Sequence, residues 1–166
     1  VDPTSGGFDH VVANVSTGSN PGNIAVTADA GMVLVTGPFG LKIVDSNPKS
    51  DSYNSVTASV SSGTKTTDVT VTADAGFAIV ATAEGSLLIV NLHPENDDYS
   101  GAVVASIPTG TKVSDVKASG DAVYVYATDT ENNQILVYKF SGGATGLPSG
   151  SGTQGITLIP LEPILV

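Results

Sequence analysis

The sequence predicts an all-β chain built from three copies of one four-stranded unit. Three observations carry that prediction. The hexapeptide VTADAG stands at residues 26–31 and again, unchanged, at 71–76, 45 positions later. Around both copies apolar residues recur with a period of two and β-branched residues dominate, the pattern of half-buried strands rather than helices. Gly and Asp punctuate these runs at short intervals, as hairpin turns require, and no stretch has the period of a useful helix.

Sliding the chain by 45 lays residues 11–37 over 56–82, so that Val15 meets Val60, Gly18 meets Gly63 and Gly31 meets Gly76. A further slide of 47 brings 103–128 under the second copy, with Gly63 on Gly110 and Asp68-Val69 on Asp115-Val116. Each unit then reads in order. A first strand (VVANV, VTASV or VVASI) ends at a Gly turn. An inner strand follows (NIAVTA, DVTVTA or DVKAS). After the ADAG or SGDA turn come a third run (MVLVT, FAIVAT or VYVYAT), a short loop, and a fourth (LKIVD, LLIVN or ILVYK). Four short strands in about 45 residues is the grammar of a propeller blade.

The turn has its own logic. A hairpin needs a residue that tolerates positive φ, which Gly supplies, and a side chain that bonds its own backbone, which Asp29, Asp74 and Asp121 supply. The third counterpart of the hexapeptide is read as KASGDA at 117–122, one residue short.

The stretch VVASIPTGTKVSDVKASGDAVYVYATDTENNQILVYKF resembles a YVTN-type β-propeller repeat through Ile107-Pro108-Thr109-Gly110, Gly120-Asp121, Val123-Tyr124-Val125-Tyr126 and Ile135-Leu136-Val137-Tyr138. GLKIVDSNP at 40–48 is similar to the related LVIVD-type repeat. The resemblance covers about residues 10–140. It implies a fold and not an activity, since propellers host binding, structural and enzymatic roles.

The expected organisation is therefore an inter-blade linker at 1–9, three propeller repeats at about 10–55, 56–101 and 102–140, a Gly/Ser-rich loop at 141–155, and a terminal strand at 156–166. The linkers align as well, placing Phe8, Tyr53 and Tyr99 in one equivalent seat, so the chain opens in mid-repeat. VVANV should then be the outer strand of a blade whose other strands are missing, while ITLIP at 156–160 completes the third blade. Three blades do not close a ring, which needs roughly four to eight. The expectation is a half-ring, or a fragment of a six- to eight-bladed propeller, with a front strand that must pair with further blades or with another copy. Its candidate interaction residues are Val11, Val12 and Val15 at the front and Ile156 and Leu158 at the back.

Composition excludes several functions. Six Lys and no Arg stand against sixteen Asp and Glu, a formal charge of −10 that repels a phosphate backbone, so neither nucleic acid nor an anionic membrane is an expected partner. No apolar run approaches the roughly 20 residues of a spanning helix. With no cysteine there is no disulfide, thiolate site or cysteine nucleophile. Abundant Ser and Thr, a first residue that is Val rather than Met, and the sequon Asn14-Val15-Ser16 lean toward an extracellular or cell-surface setting.

Catalytic groups do not converge in the sequence. His10 and His93 fall in linkers without zinc spacing, and there is no phosphate-binding glycine loop or nucleophile elbow. No catalytic residue and no resident cofactor is nominated. The loops before the inner strands and between the second and third strands would bring Asn23, Asp68 and Asp115 near Lys65 and Lys112, with Glu84, Asp129 and Glu131. Asp68, Asp115, Glu84 and Asp129 are the candidate metal ligands, for Ca²⁺ or a catalytic divalent ion as in lactonase-like propellers; pairing with the lysines is the simpler use of them. Asn96-Asp97-Asp98 is a second acidic run of the same kind. Tyr124 and Tyr126 alternate with Val123 and Val125, so the two sets point to opposite faces of the blade and one packs between neighbouring blades; a cluster of exposed aromatics would instead suggest glycan or peptide binding. The expected function is a non-catalytic structural or interaction module assembling through blade packing and exchanged or augmented strands. Its rivals are a share of a hydrolase-like enzyme and a glycan- or protein-binding propeller.

Overall fold

The structure, a computed structural model, describes residues 10–165 apart from 12, 19, 39, 94–101 and 142–156. Thirteen strands are assigned: β1 (Ile24–Val26), β2 (Met32–Gly37), β3 (Gly40–Asp45), β4 (Val56–Ser61), β5 (Thr66–Val71), β6 (Phe77–Thr82), β7 (Ser86–Asn91), β8 (Val103–Pro108), β9 (Val113–Ala118), β10 (Tyr124–Asp129), β11 (Gln134–Ser141), β12 (Thr157–Pro160) and β13 (Ile164–Leu165). They form three antiparallel sheets in the orders β1-β2-β3-β4, β5-β6-β7-β8 and β9-β10-β11-β12.

Each sheet takes its outermost strand from the segment that opens the following repeat, as the linker alignment implies. Thus β4, carrying VTASV, pairs with β3 through Leu41 opposite Val60, and β8 pairs with β7 through Leu87 opposite Ile107. The terminal segment fills the same place in the third sheet, where Leu158 lies opposite Phe140. The chain continues along that edge: Leu161 N–H donates to Val137 O at 2.7 Å, and β13 pairs with the start of β11, an addition the repeat pattern did not contain.

The front segment departs from expectation. Residues 13–18 are described and form no strand, and Val11 is 79% exposed. VVANV has the alternation of a strand, but among the described residues no strand pairs with it, and extension without a ladder gains nothing.

Alternation within each strand fills two cores between sheets. Leu34, Leu41, Ile43, Val60, Val69, Val80, Leu88 and Val90 close the space between the first and second sheets. Phe77, Ile79, Leu87, Ile89, Val116, Val125, Tyr138 and Leu158 do so between the second and third. Phe77 and Phe140 meet with ring centroids 5.7 Å apart, a favourable tilted arrangement. The middle sheet is covered on both faces, so every side chain of β6 is buried.

The repeated turn is built differently from the sequence expectation. The left-handed residue is Ala in all three copies: Ala30 at φ 56°, Ala75 at 57° and Ala122 at 56°. Gly31 and Gly76 follow it and are not in that region. The third counterpart is consequently ASGDAV at 118–123, in full register, with Val123 in the glycine's place. Holding Ala left-handed costs about 1 kcal/mol, and a repeated set of hydrogen bonds offsets it. Thr72 Oγ1 donates to Asp74 Oδ1 at 2.6 Å, Gly76 N–H donates to the same oxygen at 3.0 Å, and Phe77 N–H donates to Thr72 Oγ1 at 3.0 Å. Thr27 and Asp29 repeat the pattern with Gly31 and Met32. Ser119 and Asp121 repeat it with Val123 and Tyr124. The hydroxyl at the first turn position, which sequence reasoning passed over, is as constant as the Asp.

Glycine is indispensable elsewhere. At Gly40, with φ 136°, an added Cβ would fall 2.0 Å from Val60 O; at Gly85, with φ 77°, it would fall 2.4 Å from Thr111 O. Both lie at the β2–β3 and β6–β7 bends, where the neighbouring backbone leaves no room for a side chain.

Candidate interaction surfaces

The inner strands β1, β5 and β9 stand side by side, and their polar residues link one sheet to the next. Asn23 Nδ2 donates to Thr67 O at 2.6 Å. One repeat later Asp68, buried at 4% exposure, accepts from Val116 N–H at 2.9 Å and from Lys117 Nζ at 3.1 Å. Thr70 Oγ1 accepts from Ala118 N–H, and Thr67 Oγ1 donates to Val113 O. Thr66 Oγ1 bonds back to Gly37 and Gly40. Asp68 thus acts as a latch between sheets, with its charge met by a backbone donor and an ammonium.

Asp129 is likewise occupied. Its carboxylate accepts from Thr111 Oγ1 (2.6 Å), the Glu131 and Asn132 N–H groups, Asn132 Nδ2 and Gln134 Nε2 (both 2.8 Å). Burial pushes its pKa up, but these donors favour the charged form and hold it well below the usual carboxylate range. Asp129 therefore organises the β10–β11 bend.

The other candidate ligands do not gather around these two. Asp115 is exposed and accepts from Ser114 Oγ at 2.8 Å, while Glu84 is exposed on the β6–β7 bend. Lys112 pairs with Glu131 at 3.7 Å rather than with an Asp. His10 and His93 are exposed. Among the described residues no group of three or more His, Asp or Glu is placed to hold a metal ion. The Asn96-Asp97-Asp98 run, Val12 and Ile156 lie outside the described residues. Leu158 is buried in the second core at 3% exposure, so its apolar surface is spent within the chain, and Val15 is half-buried.

The two outward faces of the array show what the inner ones conceal. Ile24, Val69 and Val116 occupy one repeated seat; Val69 and Val116, which face a neighbouring sheet, are 1% and 0% exposed, whereas Ile24 is 64% exposed. On the opposite face Ile79 is 0% exposed and Tyr126, in the equivalent seat, 38%. Val26 shares the front face with Ile24, and Ile159 and Leu161 are exposed on the terminal edge. Tyr124 and Tyr126 stack obliquely with centroids 6.4 Å apart. A cleft of about 370 Å³ beside the first sheet is lined by Thr17, Pro21, Val35, Lys42, Ser59 and neighbours.

No protein-family model matches the chain, and no curated protein matches it in sequence. Solved structures do resemble it. The β-propeller domain of Cps50 (Swd1) from Myceliophteria thermophila superposes with a TM-score of 0.57 at 16% identity, over 72% of this chain and 39% of that one. Sqt1 from Chaetomium thermophilum gives 0.64 at 14% identity, over 88% and 36%. The three sheets are propeller blades. Hydrazine synthase of Kuenenia stuttgartiensis gives 0.60 at 21% identity, over 76% of this chain and 34% of that one. The chain spans little more than a third of the length of each of these structures. At these identities the likeness shows the fold alone.

Proposed function

We propose that this propeller segment is a non-catalytic protein-interaction module working at the cell surface or outside the cell, of the YVTN type. The observation that carries the reading is the pair of exposed blade faces, where Ile24 and Tyr126 stand in seats that the inner blades bury completely. Apolar surface of that kind marks a protein contact. The carboxylates that an enzyme site would draw on, Asp68 and Asp129, are engaged by backbone, amide and ammonium donors instead. The extracellular setting is supported by the exposed sequon residue Asn14 and the abundance of Ser and Thr.

Site-specific photo-crosslinking tests the reading. With the probe at Ile24 or Tyr126 in the native host, each position should trap a protein, and a probe at exposed Lys49 should not. Equal labelling at all three positions, or none, would refute it.

A further inference from the structure

We infer that the back face of the third blade docks the front face of the first blade of a second copy of this chain, head to tail. The inference rests on the interaction-module reading above and names the partner. Two copies supply six blades, within the range in which propellers close.

Three observations carry it, each from the internal repeat. Asp115 occupies on the third blade the seat from which Asp68 latches Val116 N–H on the second, and Asp115 is exposed, with its neighbour Ser114 the only donor to its carboxylate among the described residues. The counterpart of Val116 on a following first blade is Ile24, a residue that is 64% exposed. The carboxylate of one copy thereby meets the Ile24 N–H of the next.

Next, the packing seats change together. Leu34 and Leu88 share the core between the first and second blades, and Ile79 and Leu136 share the next. The same two seats at the open ends hold Tyr126 on the back face and Lys42 on the front face. Docked by the same rule, a lysine ammonium comes over a tyrosine ring, a cation–π pair in place of an aliphatic one. Lys42 Nζ is already held by Ser59 Oγ at 2.7 Å, which fixes it on that face. A second copy carries this matched exchange by construction, since both seats recur in each blade of the chain.

Finally, Lys117 stands where Thr70 does and Val26 where Ala118 does, and Thr70 Oγ1 accepts the Ala118 N–H at 3.2 Å. Residues 117 and 26 of adjoining copies are therefore brought within contact, which gives a direct readout. The chain has no cysteine of its own.

The experiment measures the solution mass of the whole chain by light scattering and adds oxidation of mixed single-cysteine variants. Twice the 16.6 kDa chain mass is expected, together with a disulfide between a Lys117→Cys chain and a Val26→Cys chain and none between two Lys117→Cys chains. Tyr126→Glu and Lys42→Glu should each raise the dissociation constant at least about tenfold. The unchanged thermal transition of a monomeric dilution shows that each variant folds. A chain that remains 16.6 kDa at every concentration, or that crosslinks through like positions, overturns the proposal. If such a monomer still traps a different protein from a probe at Ile24, the interaction-module reading survives and the self-docking fails.

Discussion

The Asp68 carboxylate accepts the Val116 N–H at 2.9 Å across the boundary between the second and third blades. A buried N–H left without a partner costs its desolvation, and a bond to a charged acceptor contributes about 1.5–3 kcal/mol. Asp68→Ala should lower unfolding stability by about 2–3 kcal/mol in urea titrations. Lys117 is 69% exposed in its side chain, so Lys117→Met should cost less than about 1 kcal/mol. Equal losses in the two variants would show that the ion pair, and not the backbone latch, joins the blades.

The turn makes opposite demands on two adjacent residues. Ala75 is held left-handed, and Gly76 after it is not. Gly76→Val should cost less than about 1 kcal/mol, because Val123 fills that place in the third copy while its N–H still reaches Asp121. Asp74→Ala should cost about 1 kcal/mol by releasing both Thr72 and Gly76. Ala75→Val should cost more than Gly76→Val, since a β-branched residue resists the left-handed region. Thermal melts of the three single variants rank them directly.

Gly40 supplies the contrasting case. A methyl group there would meet the Val60 carbonyl, which is part of the β3–β4 ladder and cannot move aside. Gly40→Ala should therefore destabilise by more than about 2 kcal/mol, or abolish soluble expression. A melt within error of the parent protein would contradict the close approach.

How far the sequence reached is visible in particular residues. The period of two and the repeated hexapeptide are local signals, and they mark β2 to β11; the linker alignment implies that each repeat's first strand belongs to the preceding sheet, and ITLIP reads separately as the outer strand of the third. The role of Asp68 was not legible, because its partner Val116 is 48 residues away and no local pattern marks an inter-blade hydrogen bond. A carboxylate in a loop-side seat reads as a ligand until the donor opposite it is known. The left-handed Ala escaped notice because propensity favours Gly there, and the Thr and Asp bonds that override the propensity are contributed by side chains. VVANV carries the alternation of an outer strand, and among the described residues no strand pairs with it, because alternation reports what a segment can pair with and not which partner it has.

Calcium should leave the chain's stability unchanged. Ca²⁺ requires six to eight oxygens, and Asp68 and Asp129 already have donors on their carboxylates that a cation would have to displace. Adding millimolar Ca²⁺ or a chelator is expected to shift the melting temperature by less than about 1 °C; a saturable rise on titration would reveal a site and displace this account.

Acid should unfold the protein through its turns. Asp29 is held below the ordinary value of 3.8 by the Thr27 hydroxyl and then the Gly31 N–H, and Asp121 in the same way by Ser119 and Val123. At Asp74 burial pulls upward, but Thr72 and Gly76 outweigh it; at Asp129 burial is outweighed by Thr111, Asn132 and Gln134. A carboxylate whose folded pKa lies below its unfolded one contributes stability that is fully present above the unfolded value. That contribution is lost as pH falls through the folded value. Urea midpoints should therefore be level from about pH 7 to pH 5 and fall steeply below about pH 4. Asp129→Asn should flatten the acid limb most, since Asp129 has the most donors and its depression is the largest, while lowering stability at neutral pH. Were the acid limb of Asp129→Asn to keep the parent slope, the protons taken up on unfolding would have to bind elsewhere, and the bend at 129–134 would not be the acid-sensitive element of the third blade.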